Sequence, residues 1–332
     1  MSRPVVLVHL ESPHPFWHLS GEHERTLRTA FPTVDFRNAT AATVRHELPE
    51  AQVYFGWRFA PDWLCAAPQL EWIASPAAGT DHLPIAAAER AGVIVTRSYG
   101  FHGRPMAEHA MGLILGFSRG LFTSSRLQQT HRWWKDHLAE EFFDLAGATM
   151  TIVGCGSIGG HLARAARAFG MQVIGVRRNP PPTNRYGLTW MRTEDIREAV
   201  AKAAVVVDLL PATSDTDRLF DRDVFAAFKA GALFINLGRA STVDQTALLD
   251  ALDTGHLRGA ALDVTDPRPL PTGHPLRRHP RVVITPKSAA FCRTYMDEAV
   301  AFFADNLHRH LAGWPLNGLA TASTARPSTA GG

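Results

Sequence analysis

The hexapeptide Gly154-Cys155-Gly156-Ser157-Ile158-Gly159 is the first place in this sequence where residue type and spacing imply chemistry. It follows an apolar run, Thr149 to Val153, and leads into a helical pattern from Ile158 to Phe169. In that context Gly154 permits a tight turn, Gly156 lets a pyrophosphate approach the backbone, and Gly159 lets helix and strand pack closely. The helix start at Ser157 and Ile158 offers N–H groups and the positive end of its dipole to phosphates. The next apolar run, Val173 to Val176, ends in Arg177-Arg178-Asn179. A site for NAD(H) carries an acidic residue there for the ribose 2′-hydroxyl, whereas two guanidiniums suit a 2′-phosphate. The expected cofactor is therefore NADP(H) rather than NAD(H).

Positioning such a turn takes alternating strands and helices, and the chain reads that way throughout. Val5–Leu10, Val53–Trp57, Trp72–Ala74 and Val93–Thr96 read as strands of a first domain, with helices at Glu22–Ala30 and Pro84–Ala91. A long helical pattern from about Met106 to Trp134 places Ala110, Leu113, Ile114, Phe117 and Leu121 on one face. The second set of strands, Thr149–Val153, Val173–Val176, Val205–Leu210, Leu233–Asn236, Ala260–Val264 and Val282–Thr285, consists of near-continuous apolar runs, as buried parallel strands should. Helical stretches at Ile158–Phe169, Thr193–Lys202, Arg222–Phe228 and Asp244–Leu252 separate most of them, and Gly170, Gly231 and Gly255 sit where helices should stop. An amphipathic helix from about Tyr295 to Leu311 follows, and the Ala/Ser/Thr/Gly-rich end from 319 to 332 is expected to be a disordered tail.

Composition narrows the function class. A chain of 332 residues suggests two domains, and 45% hydrophobic with 20% charged residues is ordinary for a globular protein. A formal net charge of +3 without a basic block argues against nucleic acid as a partner. No apolar run reaches the roughly 20 residues needed to cross a bilayer, and Met1 to Leu10 reads as a strand rather than a signal peptide. Three scattered cysteines, Cys65, Cys155 and Cys292, argue for a reducing compartment and against a disulfide framework or metal site. A cytoplasmic location is expected.

From about residue 60 to 318 the chain resembles the D-isomer-specific 2-hydroxyacid dehydrogenases. Ala77-Ala78-Gly79-Thr80-Asp81 looks like the family's loop whose amides hold the substrate carboxylate, and His102 to His109 like the segment opening its interdomain helix. Asn236-Leu237-Gly238-Arg239-Ala240 is similar to the motif bearing the catalytic arginine. Ala260 to Val264, Pro269-Leu270-Pro271 and Ile284-Thr285-Pro286 are similar to the blocks that follow it. The resemblance implies two Rossmann-like, doubly wound parallel-sheet domains: a discontinuous substrate domain (1–100 and 288–318) with a cofactor domain (101–287) inserted. It further implies cofactor contacts at Pro211, Thr216, Leu237, Gly238 and Asp263, substrate contacts at Trp57, Arg58, Ala78 and Gly79, and a homodimer built through the inserted domain. Trp57-Arg58 and the paired arginines look most like NADPH-dependent glyoxylate/hydroxypyruvate reductases.

The departures shape the expected mechanism. Lys287 stands where the family has its general-acid histidine, directly after Thr-Pro, and Arg268 where it has the glutamate that orients that histidine. Ala240 and Ala290 replace usual glycines. Reducing a 2-oxo acid takes a hydride, a cation on carboxylate and carbonyl, and a proton for the developing alkoxide. Arg239 suits the second task through its planar fork, and the Lys287 ammonium the third. Arg268 and Arg239 nearby would favour the neutral amine of Lys287 by like-charge repulsion. Three cations suit a small, highly charged anionic substrate or an imine. The alternative is a silent member of the family that binds dinucleotide in a structural or regulatory role.

Overall fold

The computed structural model describes residues 3–80, 82–139, 141–182 and 187–321. The chain divides into two compact units, Met1–Phe101 with Cys292–Gly332, and His102–Phe291. No helix among the described residues is long and apolar enough to cross a membrane.

The first unit is a five-stranded parallel sheet in the order β2-β1-β3-β4-β5. Its strands are β1 (Val5–His9), β2 (Asp35–Asn38), β3 (Val53–Gly56), β4 (Trp72–Ser75) and β5 (Ile94–Arg97). One face of the sheet buries Leu7, Tyr54, Ile73 and Val95 against Val44, Leu48, Ile85 and Ala88. On the other, the helix Tyr295–Leu311 lays Phe303 flat against Phe55, 4.0 Å between ring centroids, and against Trp72 at 5.3 Å. Residues 318–320 run beside β5, with Ala320 N donating to Val95 O. Beyond 321 the expected tail lies outside the described residues, as does Asp81.

The second unit is a seven-stranded parallel sheet in the order β12-β11-β10-β9-β6-β7-β8. The strands are β6 (Thr149–Val153), β7 (Gln172–Arg177), β8 (Thr189–Arg192), β9 (Val205–Asp208), β10 (Ala232–Asn236), β11 (Leu257–Leu262) and β12 (Val282–Ile284). Side chains alternate across a strand, so β9 and β10 send Val206 and Phe234 to one face and Val205, Val207, Leu233 and Ile235 to the other. Phe220, Phe225 and Phe228 pack on Phe234, and the helices Gly103–Ser118 and Ser157–Ala168 cover the opposite face. Apolar residues on both faces explain why these strands read as continuous runs.

Three sequence expectations need correction. The helix expected from Met106 to Trp134 stops at Ser118; Gly120 takes a left-handed φ of 63°, and a short helix, Leu121–Leu127, restarts beyond it. A left-handed residue cannot continue the hydrogen-bond ladder, so the apolar periodicity bridged two elements. The helix expected from Thr193 to Lys202 opens as a 3₁₀ turn, Thr193–Asp195, before the α-helix Ile196–Ala201. Strands β2 and β8 were not expected. Both are sheet edges with one flank exposed, so β2 has only Phe36 buried and β8 only Trp190 and Met191 half-buried.

Candidate functional site

Every strand of the second unit points the same way, so the turns at the strands' carboxyl ends share one edge of the sheet. Gly154 leaves β6, Arg177 ends β7, Asp208 ends β9, Arg239 follows β10, Asp263 follows β11 and Lys287 follows β12. The strand order reverses at β6, with β7 on one side and β9 on the other. Such a reversal leaves a crevice beyond the strand ends, where open α/β sheets bind ligands.

The glycine turn has the shape a dinucleotide pyrophosphate requires. Gly154 has a φ of 82°, and its N–H donates to Val176 O at 3.0 Å. A Cβ there would stand 2.9 Å from Leu209 C and Leu210 N. Gly159 packs so closely that a Cβ would meet Cys155 Sγ at 2.8 Å, whereas one on Gly156 would meet nothing nearer than 4.0 Å. The turn is therefore crowded inward and open outward. Gly156 and Ser157 are exposed, Ile158 is half-buried, and no side chain caps the helix Ser157–Ala168. Uncapped N–H groups and an open approach are what a phosphate takes up. Burial pushes the Cys155 thiol up to about 11, against the opposing Arg177 charge, so it stays protonated.

Arg177 and Arg178 are both exposed, and Arg178 Nη2 pairs with Asp215 Oδ2 at 2.5 Å. Sequence reasoning missed this partner, which comes from the turn after β9. Thr216 holds that turn: buried, it donates from Oγ1 to Pro211 O at 2.6 Å, with Pro211 itself exposed.

The arginine loop is a hydrogen-bonded knot. Gly238 N donates to Asn236 Oδ1 at 2.9 Å, Asn236 Nδ2 to Arg239 O at 3.0 Å, and Arg239 Nη1 to Gly238 O at 2.9 Å. Leu237 is buried, with its N–H on Asp208 O at 3.0 Å. A Cβ on Gly238 would lie 2.6 Å from Leu210 O. Arg239 is half-buried. Beneath it lies Asp208, fully buried, accepting from Leu210 N at 2.8 Å and contacting the Thr242 hydroxyl. Burial pushes the Asp208 carboxyl up to about 7, although the bonds from Thr242 and Leu210 and the Arg239 charge pull it down. Asp208 was also missed, and its signal is a lone acid inside the apolar run Val205–Leu210.

Asp263 and Lys287 are brought together. The buried Asp263 carboxylate accepts from Thr285 Oγ1 at 2.6 Å, Ser288 N at 2.9 Å and Ala289 N at 3.1 Å, while Lys287 N donates to Asp263 O at 3.0 Å. Lys287 is exposed and has a φ of 55°, a conformation costing a non-glycine residue about 1–3 kcal/mol. Asp263 thus overrides local preference to hold the Lys287 turn. His109 reaches the same cluster, its Nε2 3.2 Å from Thr285 Oγ1, and burial lowers its pKa against the nearby Asp263 charge. Arg268 is exposed on the loop after β11, where Gln245 bonds Asp266 O and Thr265 bonds Pro267 O at 3.1 Å.

In the first unit, Trp57 follows β3 and packs at a tilt near Trp17 and Tyr295, at 5.3 and 5.8 Å between centroids. Its indole Nε1 is buried with no hydrogen-bond partner among the described residues. Arg58 is exposed, and its carbonyl accepts from the Tyr54 hydroxyl at 2.6 Å. The loop bearing Ala78 and Gly79 has its carbonyls tied back: Pro76 O by Tyr295, Ala77 O by Ser98 N and Ala78 O by Arg97. Among the described residues no cluster of three metal-ligating side chains occurs.

Residues 111–289 match the NAD-binding domain of the D-isomer specific 2-hydroxyacid dehydrogenases. The chain is 32% identical over 252 residues to D-3-phosphoglycerate dehydrogenase of Mycobacterium leprae, covering 75% of this chain and 47% of that one. It thus spans about half the length of that relative. It is 30% identical over 253 residues to glyoxylate reductase of Aeropyrum pernix, covering 74% and 75%. A D-isomer specific 2-hydroxyacid dehydrogenase of Xanthobacter autotrophicus, solved with NADPH and MES, superposes with a TM-score of 0.80 at 28% identity, covering 96% and 98%.

Asp263→Asn should loosen the Lys287 turn, because an amide cannot accept on both sides. Losing one such bond costs about 1–3 kcal/mol, so amide exchange over residues 285–289 should accelerate roughly 10- to 100-fold. Unchanged exchange would show that Asp263 does not hold this turn.

Proposed function

The chain belongs to the D-isomer specific 2-hydroxyacid dehydrogenase family, and from that membership we propose an NADPH-dependent reductase of a 2-oxo acid or a related anionic carbonyl or imine compound. The observation that carries the reading is the convergence, on one sheet edge, of an uncapped glycine turn, an exposed arginine pair and a half-buried arginine.

The bound nicotinamide supplies the hydride. The amides of Ser157, Ile158 and Gly159 and the backbone at Gly156 hold its pyrophosphate, while Pro211, Thr216, Leu237 and Gly238 line the rest of the cofactor site. Asp263 supports it through the turn it anchors. Arg177 and Arg178 hold the 2′-phosphate. The Arg178–Asp215 pair does not prevent this, because its side chains are 65% and 64% exposed and such surface pairs contribute only about 0–1 kcal/mol. Arg239 grips the substrate carboxylate and polarises the carbonyl, held by bonds to its own loop. Lys287, set in its strained turn, delivers the proton to the developing alkoxide, and Arg268 adds positive charge to the same edge. Trp57, Arg58, Ala78 and Gly79 are the proposed substrate contacts of the first unit. The tied-back carbonyls of Pro76 to Ala78 and the unpartnered Trp57 indole support that assignment.

Lys287 and Arg268 in place of histidine and glutamate also favour a second reading, a dinucleotide-binding protein without turnover. NADPH consumption against a panel of oxo acids and imines separates the two. A homodimer in the cytoplasm fits the first reading. The dimer would cover the outward-facing Leu121 and Trp133, 57% and 74% exposed in the second unit.

NADPH should bind at least roughly tenfold more tightly than NADH, the scale of one hydrogen bond to a charged group, and Arg177→Asp should reverse the order. Equal affinities in fluorescence titrations would remove the NADP(H) assignment.

Arg239→Ala should abolish turnover and leave NADPH affinity within a few-fold. Lys287→Met should lower kcat by roughly 10²–10⁴, the contribution of a positioned acid. Glyoxylate and hydroxypyruvate should be poor substrates beside a more highly charged or imine compound. Brisk glyoxylate reduction that survives Lys287→Met would mean that the proton comes from elsewhere.

A further inference from the structure

Behind Arg239, the exit of β9 and the loop after β10 meet around one carboxyl group. Asp208 ends β9, fully buried, between the Leu210 amide on its own strand's exit and the Thr242 hydroxyl beyond β10. Thr242 Oγ1 also lies 2.6 Å from Arg239 O, within donating distance. A hydroxyl has one proton to give and two acceptors here. When Asp208 is protonated, it donates to Thr242, which donates to Arg239 O, and both contacts are satisfied. When Asp208 is ionised, the Thr242 hydroxyl proton turns to the carboxylate, and Arg239 O loses that donor, keeping the Asn236 side-chain amide at 3.0 Å and the Thr242 backbone amide at 3.3 Å.

We propose that Asp208 is a positioning residue for Arg239, whose proton sets both the bonding of the arginine loop and the charge behind the guanidinium. The inference rests on Arg239 anchoring an anionic substrate. The charge acting on Asp208 is that of Arg239; Asn236 from β10 and Thr242 are neutral. Ionised, Asp208 offsets the positive field that Arg239 presents to an anion. Protonated, it leaves that field whole.

Burial pushes the Asp208 carboxyl up to about 7, so its negative charge develops as pH rises through neutrality. Anion affinity is high below that point and falls as pH rises through it. Oxalate, a non-reacting dicarboxylate ionised over the whole range, is the probe, titrated into the NADPH-saturated protein from pH 5.5 to 8.5. Wild type should lose roughly tenfold in oxalate affinity across a midpoint near pH 7, the scale of one nearby unit charge in a partly screened site. Asp208→Asn, of nearly the same shape, should keep the low-pH affinity at every pH. Thr242→Val, which removes the hydroxyl that favours the ionised carboxylate, should shift the wild-type midpoint to higher pH, and Thr242→Ser should restore it.

A profile for Asp208→Asn that superimposes on wild type would overturn the proposal. An unmoved midpoint in Thr242→Val would overturn it as well, whether or not Asp208→Asn folds. Arg239→Ala separates the two levels. If it binds oxalate as wild type does, the anchoring reading itself fails. If it loses oxalate while Asp208→Asn keeps the wild-type profile, only the role of Asp208 is wrong.

Discussion

One peptide unit, Leu209–Leu210, is clamped between two glycines. Gly154 of the dinucleotide turn and Gly238 of the arginine loop approach it so closely that a Cβ at either position would lie within 2.9 Å of its backbone atoms. Neither loop can move toward the sheet, and neither tolerates a side chain. The cofactor turn and the arginine loop thus share a backbone contact, to which the side-chain bonds of Asn236 and Thr242 are added on the arginine loop. This contact explains why strand β9 carries so much of the site's precision while presenting none of its reactive groups.

The same edge holds two buried carboxylates with contrasting roles. Asp263 meets the Thr285 hydroxyl and the Ser288 and Ala289 amides, and that preorganised set keeps Lys287 in a left-handed turn it would not choose. Asp208 has fewer partners and deeper burial, so its proton is held far above the usual carboxylate range. A fully satisfied carboxylate makes a rigid anchor, whereas an undersatisfied one makes a titrating group. Rigid support therefore goes to the lysine turn, and a proton-sensitive support to the arginine loop.

Much of this was legible in the sequence because buried parallel strands are apolar on both faces, and Thr149–Val153 was read to the residue. The helix Tyr295–Leu311 was equally clear, since its apolar stripe and its surroundings agree. Edge strands β2 and β8 were hidden because one flank faces water and breaks the run. The break at Gly120 was hidden because apolar periodicity continues across it. Within the site, the glycine turn and the residues around Arg239 announced themselves by type and spacing. Asp215 beside Arg178, and Asp208 behind Arg239, did not, because each acts through a partner 31 or more positions away in the chain or on a separate loop. A lone aspartate in Val205–Leu210 was the available signal, and its partner could be named only once β9 and β10 were seen to be neighbours.

The central claim is that this edge transfers hydride from a nicotinamide cofactor to an anionic substrate gripped by Arg239. Its most direct test is transfer of label from NADPH deuterated at the nicotinamide C4 position, with mass spectrometry of the products of a mixed pool of 2-oxo acids and imino acids. The account predicts a product one mass unit heavier, the deuterium on the former carbonyl or imine carbon, in one stereochemical series. Tight NADPH binding with no labelled product from any member of the pool would contradict it and leave a protein that holds the cofactor without using it.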